Sequence, residues 1–140
     1  MVYLIFSIVM VLIIVFIVPH PKYTDPIKYT SRSCNGRQWK KHFPDAQNDE
    51  IRRFLAGLAE AMGFDESDIL KFSPTDKVID IYLSNYGDET PICDDMECER
   101  FAMFICDELK VPSEKLKNAW ETDDFTLGDA FLLTQKSISI

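Results

Sequence analysis

Residues 2 to 18, VYLIFSIVMVLIIVFIV, hold no charge and a single polar residue, Ser7. As a helix this run is roughly 26 Å long, close to the hydrocarbon thickness of a bilayer once Met1 and Pro19 are added. A helix packed in a soluble core keeps a polar stripe, and this run has none. A cleavable signal peptide needs a positive start and small residues before the cut, and neither is present. The pattern predicts an uncleaved transmembrane anchor over 1–19.

Beyond it the periodicity becomes helical. Ile51, Phe54, Leu55, Leu58, Ala59 and Met62 recur at i, i+3, i+4, i+7, i+8 and i+11, one face of an amphipathic helix that Gly63 ends. Residues 65–74 read as a turn-rich connection. Val78, Ile79, Tyr82 and Leu83 suit a brief helix, with a strand over Val78–Leu83 as the competing reading, and 84–91 is loop by its turn residues. Asp94-Asp95-Met96-Glu97 has capping-box spacing and opens a further helix, whose inward face would be Met96, Phe101, Phe104, Ile105 and Leu109, ending before Pro112. In Thr126-Leu127-Gly128-Asp129, Thr126 caps the last helix, Asp129 returns the bond, and Leu127, Ala130 and Phe131 point inward. With no second well-marked strand to pair, the class is all-α, a small helical bundle.

Charge divides the chain further. Residues 19–42 carry six Lys/Arg against Asp25, a balance of +5, and residues 43–140 carry −13 within an overall −8. Residues 20–46, with Pro21, Pro26 and Pro44, therefore read as a basic juxtamembrane linker whose cations suit anionic headgroups. Residues 47–140 are the folded acidic domain. The positive-inside rule puts that domain in the cytoplasm, giving a single-pass protein of the inner (plasma) membrane. A chain of 140 residues excludes a two-domain enzyme, and the acidity argues against nucleic acid and for a basic protein surface as partner. Cys34, Cys93, Cys98 and Cys106 match no common disulfide or zinc spacing, and buried free thiols are expected.

The order of these pieces resembles the acyl carrier protein family. There a long first helix and a long loop precede a second helix opened by Asp-Ser-Leu, then a short helix and a last one. Asp94-Asp95-Met96 stands at the motif position, Lys110-Val111-Pro112 at the second helix's exit, and Phe125-Thr126-Leu127-Gly128-Asp129-Ala130 resembles the carrier's Thr-Val-Gly-Asp-Ala. Trp120 with Thr126-Leu127-Gly128 is also similar to a group of bacterial carrier-like proteins. The resemblance implies an acyl-carrier-like bundle over roughly 48–135, with an acidic second helix that docks partner proteins.

One departure governs the functional reading. A carrier attaches phosphopantetheine through a serine hydroxyl, and Asp95 occupies that position. A carboxylate forms no equivalent stable phosphodiester, and the nearest serines, Ser84 and Ser113, lie outside the helix start. No cofactor is expected. Asp88, Glu89, Asp94, Asp95, Glu97 and Glu99 lack the ligand register of a calcium loop, so no metal is expected either. His20 and His42 both fall in the linker, away from these acids, and no phosphate loop, Gly-x-Ser-x-Gly or zinc-protease motif occurs. The expectation is a non-catalytic, membrane-held interaction module with no evident small-molecule substrate, docking a basic partner through Asp94, Asp95, Glu97 and Glu99. A carrier modified at an atypical serine, and an immunity-type protein that neutralises a basic toxin, are the alternatives.

Overall fold

Gln47 leads into the longest described helix. Its backbone N–H donates to the Glu50 carboxylate at 3.1 Å, satisfying a donor that the first turn leaves free. We label the elements of the computed structural model, which describes residues 27–85 and 96–138, in chain order. They are α1 (Ile27–Thr30), α2 (Gly36–His42), α3 (Asn48–Met62), a 3-10 helix (Glu66–Lys71), α4 (Val78–Ser84), α5 (Met96–Met103), α6 (Ser113–Ala119) and α7 (Leu127–Ile138). No strand occurs among the described residues, where Lys77 and Thr126 form an isolated antiparallel bridge. The all-helical expectation therefore stands, and residues 78–84 are helix, not strand.

α3 buries the stripe its periodicity predicts: Ile51, Phe54, Leu55, Leu58, Ala59 and Met62 are all in the core. Gly63 adopts φ 80° and lets the Phe64 N–H return to the Ala59 carbonyl at 2.8 Å, the left-handed stop expected there. After it, the Asp65 carboxylate accepts the Ser67 N–H at 2.9 Å and caps the 3-10 helix.

The linker expected over 20–46 is corrected by the structure from residue 27 onward. Trp39 on α2 is 0% exposed, its Nε1–H donates to the Phe72 carbonyl at 2.8 Å, and its ring meets Phe131 edge-on at 5.6 Å. Tyr29 is buried and stacks on Phe72 at 5.4 Å. Arg32 donates twice to Asp76, at 2.7 and 2.9 Å, and Asp76 also accepts the Ser73 N–H at 2.7 Å. A few large aromatics spaced among cations carry enough apolar area to anchor a segment that shows no helical stripe. Residues 27–46 thus belong to the folded domain. The anchor predicted over 1–19 lies outside the described residues, and among those described no helix is long and apolar enough to cross a membrane.

α5 differs from its expected register at both ends. Phe101 and Ile105 are fully buried as expected, and Phe104 and Leu109 are partly so, but Met96 is 45% exposed. An expected inward face that begins at Met96 therefore begins one turn later. The helix widens into a π turn over Phe104–Glu108, where the Leu109 N–H reaches the Phe104 carbonyl at 3.2 Å. It stops at Lys110, a non-glycine residue with φ 59°, before Pro112. Phe104 lies over Gly57 of α3, where a methyl group would come 2.2 Å from its ring. α7 opens as its sequence predicts: the Thr126 N–H donates to Asp129 Oδ2 at 3.0 Å, and the Asp129 N–H to Thr126 Oγ1 at 3.2 Å. Leu127, Ala130 and Phe131 are buried.

Candidate docking surface

α5 carries a second stripe beside its buried one. Glu99, Ala102, Met103 and Cys106 recur at i, i+3, i+4 and i+7, so they share one face. With Leu116, Lys117 and Trp120 from the α6 side they line a mainly apolar groove of about 440 Å³. Leu116 is buried, and Trp120 is held by stacking on Phe125 at 5.1 Å and by an edge contact to Phe101 at 6.3 Å. The floor is thus a packed apolar surface. Met103, 55% exposed, is the adaptable part of the wall. Glu99 and Asp107 put two carboxylates on the rim and Lys117 one ammonium.

The predicted site residues divide between inside and outside this picture. Glu99 is exposed on the groove, whereas Glu97 is half-buried at the start of α5 and does not line it. Asp94, Asp95 and Cys93 lie outside the described residues. Met103, Leu116 and Trp120 were not among the expected site residues. The signal for them was the stripe 99/102/103/106, which the stronger Phe101/Ile105 stripe on the same helix obscured.

The groove is built for contact more than for reaction. Burial, and then the neighbouring Asp107 charge, push the Cys106 thiol above its ordinary range, so at neutral pH it is a protonated and poor nucleophile. Cys98 is also half-buried and Cys34 is exposed, which corrects the expectation of buried thiols, and none of the three forms a disulfide among the described residues. No group of three metal-ligating side chains occurs among the described residues. Ser84 spends its hydroxyl on the Ile81 carbonyl at 2.6 Å, while Ser113 is exposed at the start of α6 on the groove wall. His42 sits on α2, bonded to the Gln38 carbonyl at 3.0 Å.

A second polar cluster has a structural role. Ser73 Oγ donates to Gln38 Oε1 at 2.8 Å beside the Arg32–Asp76 pair, tying α2 to the loop before α4. Every polar member of that chain is engaged, which suits a staple. Comparison with protein-family models, with curated proteins and with solved structures returns no match to this chain.

Proposed function

We propose that this protein is a single-pass, membrane-anchored interaction module of acyl-carrier-like design that lacks the carrier's serine. It docks a basic partner, on the cytoplasmic side, through Asp94 and Asp95, which precede α5 in the sequence, and Glu97 and Glu99 on its first turn. The observation that carries the reading is the groove between α5 and α6: an apolar floor of Leu116 and Trp120, an exposed Met103, and Glu99 and Asp107 on the rim. An apolar centre with a charged margin is the arrangement by which a surface gains affinity from burial and partner choice from charge. The helix order supports the same reading, with long α3, α5 stopping at Lys110, short α6, and α7 opened by its Thr126–Asp129 box.

Affinity purification of the full chain from membranes tests it. A partner with a basic surface should be recovered with the native chain and lost when Asp94, Asp95, Glu97 and Glu99 are all changed to Lys. The purified pair should weaken with salt. Equal recovery by both chains sinks the proposal.

Ser113 favours one alternative, a carrier modified at an atypical serine, because its hydroxyl is exposed on the groove wall. Intact mass after incubation with a phosphopantetheinyl transferase decides between them. The docking reading expects no gain. A gain that Ser113→Ala abolishes establishes the carrier.

A further inference from the structure

We propose that the cleft between α2 and α3 seats anionic lipid headgroups, so that the folded domain lies with this face against the membrane. Arg37, Lys40 and Lys41 fall at i, i+3 and i+4 on α2 and are all exposed, while Trp39 and Phe43 face the core. Arg52 of α3 joins Arg37 and Lys40 around a cleft of about 350 Å³ floored by Ile51 and Leu70. Cations of the expected linker, Arg37 and Lys40, are thus gathered with Arg52 on a folded surface.

Their pairing sets them apart. Among the described residues, Arg32 pairs with Asp76, Arg53 with Glu108, Lys71 with Asp68 and Lys77 with Asp124. No carboxylate lies within ion-pair distance of Arg37 or Arg52 there, although the chain has 23 acidic residues against 15 basic ones. Lys40 Nζ donates to the Ala46 carbonyl at 2.6 Å, which keeps its charge beside the cleft mouth. Two guanidinium forks with no ion pair among the described residues, set over apolar ground, suit a phosphate ester whose glycerol and upper chain lie beneath them.

Position favours a lipid phosphate over one in solution. The Thr30 carbonyl accepts from Lys71 Nζ, and the Asn35 N–H donates to the Leu70 carbonyl at 2.7 Å, so the chain enters the domain beside the cleft floor. Eight residues separate Val18 from Ile27, a reach of at most about 30 Å. An anchor over 1–19 therefore holds this face close to the headgroups. The acidic groove shares no lining residue with the cleft. This orientation rests on the proposed anchor, whereas the headgroup chemistry rests on the cleft alone.

Cys34 supplies a reporter, because its exposed thiol lies 3.4 Å from the backbone nitrogen of Gly36 at the cleft wall. The full chain, with Cys93, Cys98 and Cys106 changed to Ala, is placed in nanodiscs of phosphatidylcholine alone or mixed with phosphatidylglycerol, and maleimide labelling of Cys34 is timed. Labelling should slow several-fold in the anionic discs. Arg37→Glu with Arg52→Glu should return labelling to the rate in phosphatidylcholine alone, each lost cation weakening attraction to the anionic surface by roughly fivefold, while Arg37→Lys with Arg52→Lys keeps the charge but not the fork and retains part of the protection. Circular dichroism checks that each variant is folded. Equal labelling in both discs overturns the proposal, as does equal protection in phosphatidylcholine discs given inorganic phosphate, which would mark a small-anion site. Failure to enter discs in carbonate-resistant form refutes the anchor separately. The same chain is then floated with the two vesicle types: binding to anionic vesicles that the Glu variants lose supports the cleft, and no binding overturns it.

Discussion

The backbone N–H of Gly128 donates to the Pro74 carbonyl at 2.8 Å, and a Cβ at position 128 would stand 2.8 Å from that same oxygen. Glycine is required here by a neighbour, at the start of a helix whose first donors need partners. The Leu127 N–H is satisfied by the Asp76 carbonyl at 2.9 Å, and the Phe125 carbonyl accepts the Val78 N–H at 3.0 Å. α7 is thus docked on the 74–78 segment by a set of main-chain bonds. Gly128→Ala is expected to destabilise the domain by about 1–3 kcal/mol, because neither backbone can yield as a flexible side chain would. The cost outweighs alanine's better helix propensity, and each kcal/mol lowers Tm by roughly 4–8 °C. An unchanged Tm by circular dichroism would show that the segment moves freely.

Trp39 distinguishes a folded α2 from a tether. Trp39→Ala is expected to cost about 3–5 kcal/mol, as for other fully buried aromatics. Trp39→Phe retains most of the apolar contact but leaves the Phe72 carbonyl without its donor, for about 1–3 kcal/mol. Urea unfolding of the two variants measures both. Native-like midpoints in both would return α2 to the status of a solvated linker.

At the end of α5 the prediction has the opposite sign. Lys110 holds φ 59°, a conformation that costs any residue with a Cβ, and its side chain is exposed. Lys110→Gly should stabilise the domain by about 1 kcal/mol, whereas Lys110→Val should lower stability. A lower Tm for the glycine variant contradicts this account of the helix stop.

Tyr29 predicts a dependence on alkaline pH. Burial, followed by the charges of Asp76 and Asp80, pushes its hydroxyl up to about 12 from an ordinary 10.0, with Arg32 opposing. The folded state prefers the neutral phenol, so this contribution is complete below pH 10 and disappears as pH rises through 12. Native protein should lose more stability across that interval than Tyr29→Phe does. Titration of tyrosinate absorbance should show a late-ionising phenol that the variant lacks. Identical titrations would place Tyr29 in water.

Local chemistry is what the amino-acid order determined by itself. Gly63 follows a complete apolar stripe, and the Thr126–Asp129 box spans three residues, so each helix end follows from bonds between near neighbours. The buried faces of α3 and α7 were readable for the same reason, since 3.6-residue periodicity needs no knowledge of the partner.

Tertiary structure decided what depends on residues distant in sequence. Trp39 lies among prolines and cations with no stripe to announce it, and Phe54, Phe72 and Phe131, 15, 33 and 92 positions away, make it core. The groove exists because α6 packs beside the second stripe of α5, a pairing that no periodicity encodes. Arg37 and Arg52 become one cationic cleft only when α2 folds onto α3. Helix ends are set by hydrogen bonds a few residues long, whereas sites are set by which faces meet, and that choice belongs to the packing of the whole domain.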